Sequence, residues 1–129
     1  MYKILVIFTT VYFLAASVLV LVLMYINERK FKVICDIYFS EFKKLPIAAK
    51  TLYHASPLGF ITGNSLKKDF IIHPLISERK SILSGNNKDV EFILGLDKKL
   101  TNSFKWEHYI SVMGSFILMV LIGLIYLFK

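Results

Sequence analysis

The sequence contains little of what cross-links, metal centres or catalysis require. Cys35 is the single cysteine, which excludes an intrachain disulfide and a CxxC metal site. The histidines, His54, His73 and His108, do not occur at HExxH-like spacing, although a metal site assembled from distant residues stays open as an alternative. Phosphate-loop, dinucleotide-binding and nucleophile-elbow motifs are absent. We therefore expect no catalytic residue, no metal and no cofactor, and a protein that is not an enzyme.

Charge is absent from two long runs, residues 4–26 and 109–128. Each is long enough to cross a hydrocarbon core of about 30 Å at about 1.5 Å per helical residue. Both runs are therefore predicted to be transmembrane helices. The alternative for the first run is a cleaved signal peptide. Residues 18–26 stay apolar after the small residues that a cleavage site needs, which favours an uncleaved anchor.

The remaining charges lie almost entirely between the two runs. Residues 27–107 hold all nine acids and fourteen of the sixteen Lys and Arg. This mixture lacks the dense basic stripe of a nucleic-acid binder, so no nucleic-acid partner is expected. The basic excess beside the spans favours a cytoplasmic middle segment with both termini on the opposite side. Six residues form a basic collar that binds anionic lipid, fixes topology, or does both: Arg29, Lys30, Lys32, Lys98, Lys99 and Lys105.

Apolar periodicity continues beyond each span. Residues 31–45 carry a helical stripe (Phe31, Ile34, Cys35, Tyr38, Phe39, Phe42 and Leu45), and no proline or glycine interrupts residues 1–45. Residues 88–108 carry a second stripe that runs into span two (Ile93, Leu96, Leu100 and Phe104). The prediction is an all-α membrane protein, in which a two-span antiparallel hairpin continues into helical cytoplasmic stalks at 27–45 and 88–108.

Residues 46–87 are predicted to fold over the far end of the stalks as a cap segment. They hold all three prolines. Residues 52–64 are expected to form a loop with apolar content. Residues 73–83 are expected to form a short helix that begins at Pro74 and ends near Gly85, and Asn86 or Asn87 is expected to cap the following helix.

Two further features are candidates for packing or modification. Cys35 lies on the first stripe, where it acts as a small buried hydrophobe or, alternatively, as a site of palmitoylation or dimer cross-linking. Small residues in the two spans form a candidate helix-packing patch, which faces the other span or another subunit: Thr9, Ala16, Ser111, Gly114 and Ser115.

Short motifs in the middle segment resemble the universal stress protein B family, small two-span proteins of bacterial inner membranes. The motifs are Tyr38-Phe39-Ser40, Leu52-Tyr53-His54, Gly59-Phe60-Ile61-Thr62 and Val90-Glu91-Phe92-Ile93. The resemblance implies an inner-membrane location and a role in stress tolerance, without an enzyme activity. It implies no particular functional residues.

The leading expectation is a non-enzymatic integral membrane protein with a stress-related or regulatory role. It would act through its cytoplasmic segment, by binding membrane lipid or a membrane protein. An accessory subunit of a larger membrane complex is the second hypothesis. A homo-oligomeric, holin-like pore is the third, and the absence of ionisable residues within the spans argues against it.

Overall fold

The structure is a computed structural model that describes residues 1–80 and 86–127. Within these ranges the chain is helical and contains no strand, which confirms the all-α prediction. Two of the helices are long and apolar enough to cross a membrane.

Helix α1 (Tyr2–Phe42) is a single uninterrupted element that contains both the first apolar run and most of the first stalk. Its 41 residues extend about 60 Å. The helix ends where Lys43 adopts the left-handed conformation, with φ of 58°. The amide of Lys43 donates a hydrogen bond to the carbonyl of Phe39, which closes the last turn.

The expected loop at residues 52–64 is helical instead, so that prediction was wrong. Helix α2 (Ile47–Tyr53) and helix α3 (Pro57–Thr62) occupy most of it. Ser56 caps α3 by accepting a hydrogen bond from the amide of Gly59. Proline after a capping serine begins a helix rather than breaking one. The start signal of α3 is therefore present in the sequence, as Ser56 followed by Pro57.

A further helical stretch follows with a change of winding in its middle. Helix α4 (Asn64–Lys67) passes into a π-helical segment (Lys68–Ile72) and then into α5 (His73–Ser77). Glu78, with φ of 50°, ends it. Pro74 lies in the first turn of α5, as predicted. The predicted extent of this helix to residue 83 was wrong, because the left-handed backbone of Glu78 ends the helix and residues 78–80 are not helical. Gly85, near which the end was predicted, lies outside the described residues.

The second stalk and second apolar run are not one helix, which corrects the prediction of a continuous element. Helix α6 (Asn87–Gly95), capped by Asn86, and helix α7 (Lys98–Leu127) are separated by two residues. Leu96 is extended, and the carboxylate of Asp97 accepts a hydrogen bond from the amide of Lys99 at 3.0 Å. Gly95 weakens the helix, and Asp97 begins the next one.

The core lies entirely in residues 27–107, which we call the head. Four residues of the first stripe are buried there (Phe31, Ile34, Cys35 and Tyr38), and Phe42 and Leu45 are partly buried. Phe39 is 51% exposed, contrary to its predicted place on the buried face. Tyr38 contacts Phe92, Phe70 and Phe42, with ring centroids 4.9, 5.8 and 4.5 Å away. Phe31 contacts Phe60 and Phe70 in the same way. The cap segment thus packs against α1 through aromatic rings in edge contact.

Candidate functional site

The most unusual feature of the head is a buried ion pair at its border with the apolar runs. The Nζ atom of Lys67 lies 2.5 Å from Oε1 of Glu107, and their side chains are 1% and 4% exposed. Helix α4 supplies the lysine, and the third turn of α7 supplies the glutamate, just before the second apolar run. Charges removed from water in this way are stable only when their hydrogen bonds are satisfied.

Asn27 completes this arrangement from α1. Its Nδ2 donates to Oε2 of Glu107 at 2.5 Å and to the carbonyl of Ser103 at 3.2 Å. Both partners are acceptors, so the amide must present its NH2 group to them. Nζ of Lys67 also lies 4.8 Å from the ring centre of Phe60, a favourable contact between a cation and a π face. We call Asn27, Lys67 and Glu107 the border cluster. It connects α1, α4 and α7 at one point.

His108 lies beside the border cluster in a positive environment. Burial is the main cause that lowers the pKa of His108, and Lys68 and His73 lower it further, against an opposite effect of Glu107. The pKa therefore favours the neutral imidazole. Among the described residues, its buried Nδ1 atom has no hydrogen-bond partner. His108 also lines a small cavity with Asn64, Lys68 and Ser111.

A second buried polar contact lies at the far end of the head. The hydroxyl of Tyr38 donates to Oδ1 of Asp89 at 2.6 Å. Burial and the contact with Asp89 raise the pKa of Tyr38, so the phenol stays protonated. Nearby, burial followed by the charge of Asp36 raises the pKa of Cys35 to about 12. Cys35 is completely buried, which fits its interpretation as a small hydrophobe and leaves the thiol neither accessible nor nucleophilic.

The collar residues are found on both long helices, where several already have partners. Lys30 donates to the carbonyl of Lys99 and to Oγ of Ser103, at 2.8 and 3.0 Å. Lys32 pairs with Glu28 at 3.1 Å, and Arg29 contacts the ring and hydroxyl of Tyr25. The remaining three lie along α7: Lys98 and Lys99 are exposed, and Lys105 is half-buried. Lipid binding by this collar stays a prediction.

The structure brings together four of the five members of the small-residue patch. Ala16, Ser111, Gly114 and Ser115 line one groove between α1 and α7, and Thr9 is not among its lining residues. A Cβ atom added at Gly114 meets no atom within 4 Å. The patch therefore borders open space and does not mark a close approach of the two helices within this chain.

The sequence analysis missed the border cluster. Lys67 stands in a charged run with Lys68 and Asp69, which is typical of a solvated helix face, and Glu107 was counted only as part of the charge of the middle segment. The available signal was position, because Asn27 directly follows the first apolar run and Glu107 lies two residues before the second. In the described ranges, no three His, Cys, Asp or Glu side chains form a group that could hold a metal ion. No family model, curated protein or solved structure matches the chain.

Proposed function

We propose that the chain is a non-enzymatic integral membrane protein whose head binds membrane lipid or a partner protein. The observation that carries this proposal is the contrast in burial along each long helix. The most apolar 18-residue window of α1 contains no buried residue, and that of α7 is 11% buried. Phe31 and Phe104, in the parts of the same two helices that belong to the head, are completely buried. A bilayer is the environment in which such extensive apolar surface is stable.

In the proposed architecture α1 and α7 form an antiparallel hairpin. The direction is supported by contacts in which residue numbers run in opposite senses: Asn27 contacts Glu107, whereas Lys30 contacts Lys99. The border cluster then lies at the membrane surface, and the head lies outside the hydrocarbon. The basic residues beside the spans favour a cytoplasmic head. The resemblance of four short motifs to the universal stress protein B family favours a bacterial inner membrane and a role in stress tolerance.

Alkaline extraction of native membranes tests the membrane placement. An integral protein stays in the pellet with the lipid, whereas a protein held by surface charge is released. Topology is tested with a Cys35→Ala background and a new cysteine at the exposed Thr51 of α2. We expect a membrane-impermeant maleimide to label this cysteine only after the cells are lysed. A reporter fused after residue 129 should report the non-cytoplasmic side. Labelling in intact cells would reverse the proposed orientation.

A specific observation favours the second hypothesis, in which the partner is a larger membrane complex and this chain is its accessory subunit. Val33 and Ile37 are 45% and 37% exposed on the stalk part of α1, beyond the proposed membrane boundary. Ile37 also lines a cavity of about 510 Å³ between α1 and α6, together with Phe42, Phe92 and Leu96. Exposed apolar residues next to a groove of this size are typical of a surface that receives another protein.

Affinity purification from native membranes tests this alternative. We expect a partner at fixed stoichiometry with the wild type, which is lost in Ile37→Lys and kept in the matched control Thr51→Lys, also at an exposed helical position. Equal recovery of the partner with both variants would remove the groove from the proposal.

A further inference from the structure

Two cavities meet on one side of the helix pair, and they differ in chemistry. One is a groove of about 450 Å³ between the apolar parts of α1 and α7, bordered by Phe13, Ala16, Gly114 and Leu118. The other is the small polar cavity beside His108. Ser111 lines both. The groove therefore adjoins, at Ser111, a group of polar side chains at the border of the head.

The groove has room for an apolar ligand because its walls are made partly of small residues. Its volume lies within the range of roughly 300–1,000 Å³ that is usual for ligand pockets. Gly114 leaves space where a side chain would otherwise enter. Ile61 of α3 lines the same groove, so the cap segment also contributes to its wall. A groove lined mainly by apolar side chains of two helices suits a hydrocarbon chain.

The polar cavity is lined by one basic and one acidic side chain, Lys68 and Glu107, and the two differ in their partners. Both oxygens of Glu107 are already occupied, by Lys67 and by Asn27, so its charge is compensated. Lys68, half-buried at this cavity, forms no ion pair with any described residue. The Nδ1 atom of His108 has no hydrogen-bond partner within residues 1–80 and 86–127, and Ser111 and Asn64 add further polar groups. An anion here would gain a lysine and several neutral hydrogen-bonding groups.

We propose that this surface binds one anionic phospholipid, with its phosphate against Lys68, His108 and Ser111 and an acyl chain in the groove. The enclosed polar space is only about 10 Å³, room for one water molecule. The phosphate therefore lies at its mouth, where Lys68 and His108 are half-buried. The inference rests on the proposed membrane placement, which sets Ser111 at the depth of lipid head groups.

The opposite side of the helix pair provides an internal comparison. There a cavity of about 270 Å³ is lined by Tyr12, Ala15, Leu19 and Met113, among others, and no charged side chain borders it. A phospholipid whose acyl chain entered this second cavity would find no charged side chain for its phosphate among the described residues that line it. Lipid selectivity by head group is therefore expected on the groove side alone.

The experiment is a lipid titration of the purified full-length protein, followed by native mass spectrometry. The probes are phosphatidylglycerol and phosphatidylcholine with identical acyl chains. We expect the wild type to retain one phosphatidylglycerol in preference to phosphatidylcholine. Lys68→Gln should weaken phosphatidylglycerol binding about fivefold, the effect of one lysine near a membrane surface. Its matched control, Lys50→Gln at an exposed position of α2, should bind as the wild type does.

A second pair of variants tests the groove. Gly114→Leu fills it and should abolish retention of the phospholipid, whereas Gly123→Leu, at another open position of α7 outside the groove, should not. Ser115→Leu fills the same groove from the next residue and serves if Gly114→Leu loses its helical circular dichroism.

Three results would overturn the inference: equal retention of both lipids by the wild type, an unchanged preference in Lys68→Gln, or normal binding by the groove-filling variants. If any of these occurs while the protein resists alkaline extraction, the lipid site fails and the proposed membrane placement stands. Release of the protein by alkali would instead remove the placement on which the site depends.

Discussion

The polar side chains of the two long helices make different hydrogen bonds in the apolar halves and in the head. In the apolar halves, the hydroxyls of Thr9, Thr10, Ser17 and Ser115 donate to carbonyls of their own helix, four residues back. In the head, polar side chains cross between elements, as Asn27 and Lys30 do to α7 and Tyr38 does to α6. Helix pairing is thus specified by directional contacts in the head. The apolar halves leave cavities of about 270 and 450 Å³ on their two sides.

The border cluster lies where the head meets the apolar halves. Breaking it is expected to cause the largest loss of unfolding free energy. Glu107→Ala leaves the lysine buried without its counter-ion, which costs about 3–5 kcal/mol of unfolding free energy. Denaturant unfolding in detergent, followed by circular dichroism, measures the loss.

The double variant Lys67→Met with Glu107→Leu is the control for this prediction. It removes both charges and is expected to be much more stable than Glu107→Ala, because no uncompensated charge stays buried. If the double variant is destabilised as much as Glu107→Ala or more, the uncompensated charge is not the source of the destabilisation.

Replacing a glycine by alanine should lower stability in the tightly packed head and not in the open apolar halves. A Cβ atom at Gly63 overlaps the side chain of Leu52 and lies 3.0 Å from the carbonyl oxygen of Gly59. Gly63→Ala should therefore cost about 1–3 kcal/mol through overpacking. Gly114→Ala meets open space and should leave stability unchanged or slightly raised. Equal losses in the two variants, measured by thermal unfolding, would show that the head and the apolar halves are packed alike.

The difference between the two regions also explains what could be predicted from the sequence. The absence of proline and glycine before residue 46 was enough to predict most of α1, and the stripe through Phe31, Ile34 and Tyr38 indicated its buried face. These are local properties. Lys67 and Glu107 are forty residues apart, and neither has a neighbour that indicates burial. Their pairing depends on where α4 contacts α7, a tertiary contact that no local sequence pattern indicates.

Acidification is expected to lower the unfolding free energy by a smaller amount, through His108 at the border of the head. Because the folded protein holds the pKa of His108 below its usual value, the unfolded chain binds a proton more readily below about pH 6.5. The free energy of unfolding should therefore fall as the pH drops from about 6.5, with no contribution from this group at higher pH. His108→Gln should remove that part of the pH dependence. A wild type and variant with parallel stability profiles between pH 7.5 and 5 would contradict it.

The smallest loss of stability is expected from breaking the exposed Lys–Glu pair, which has the same chemical groups as the buried pair of Lys67 and Glu107. Glu28 and Lys32 form a Lys–Glu pair at 3.1 Å, but the lysine side chain is 45% exposed and both residues lie on α1. Water screens this pair, and helical pairs of this spacing contribute about 0.3–0.5 kcal/mol. Lys32→Gln should cost no more than that, and its effect should shrink further in 1 M salt. The loss in Glu107→Ala should persist in the same salt, because that pair is closed to solvent. A Lys32→Gln loss as large as that of Glu107→Ala would mean that burial does not decide which ion pair matters here.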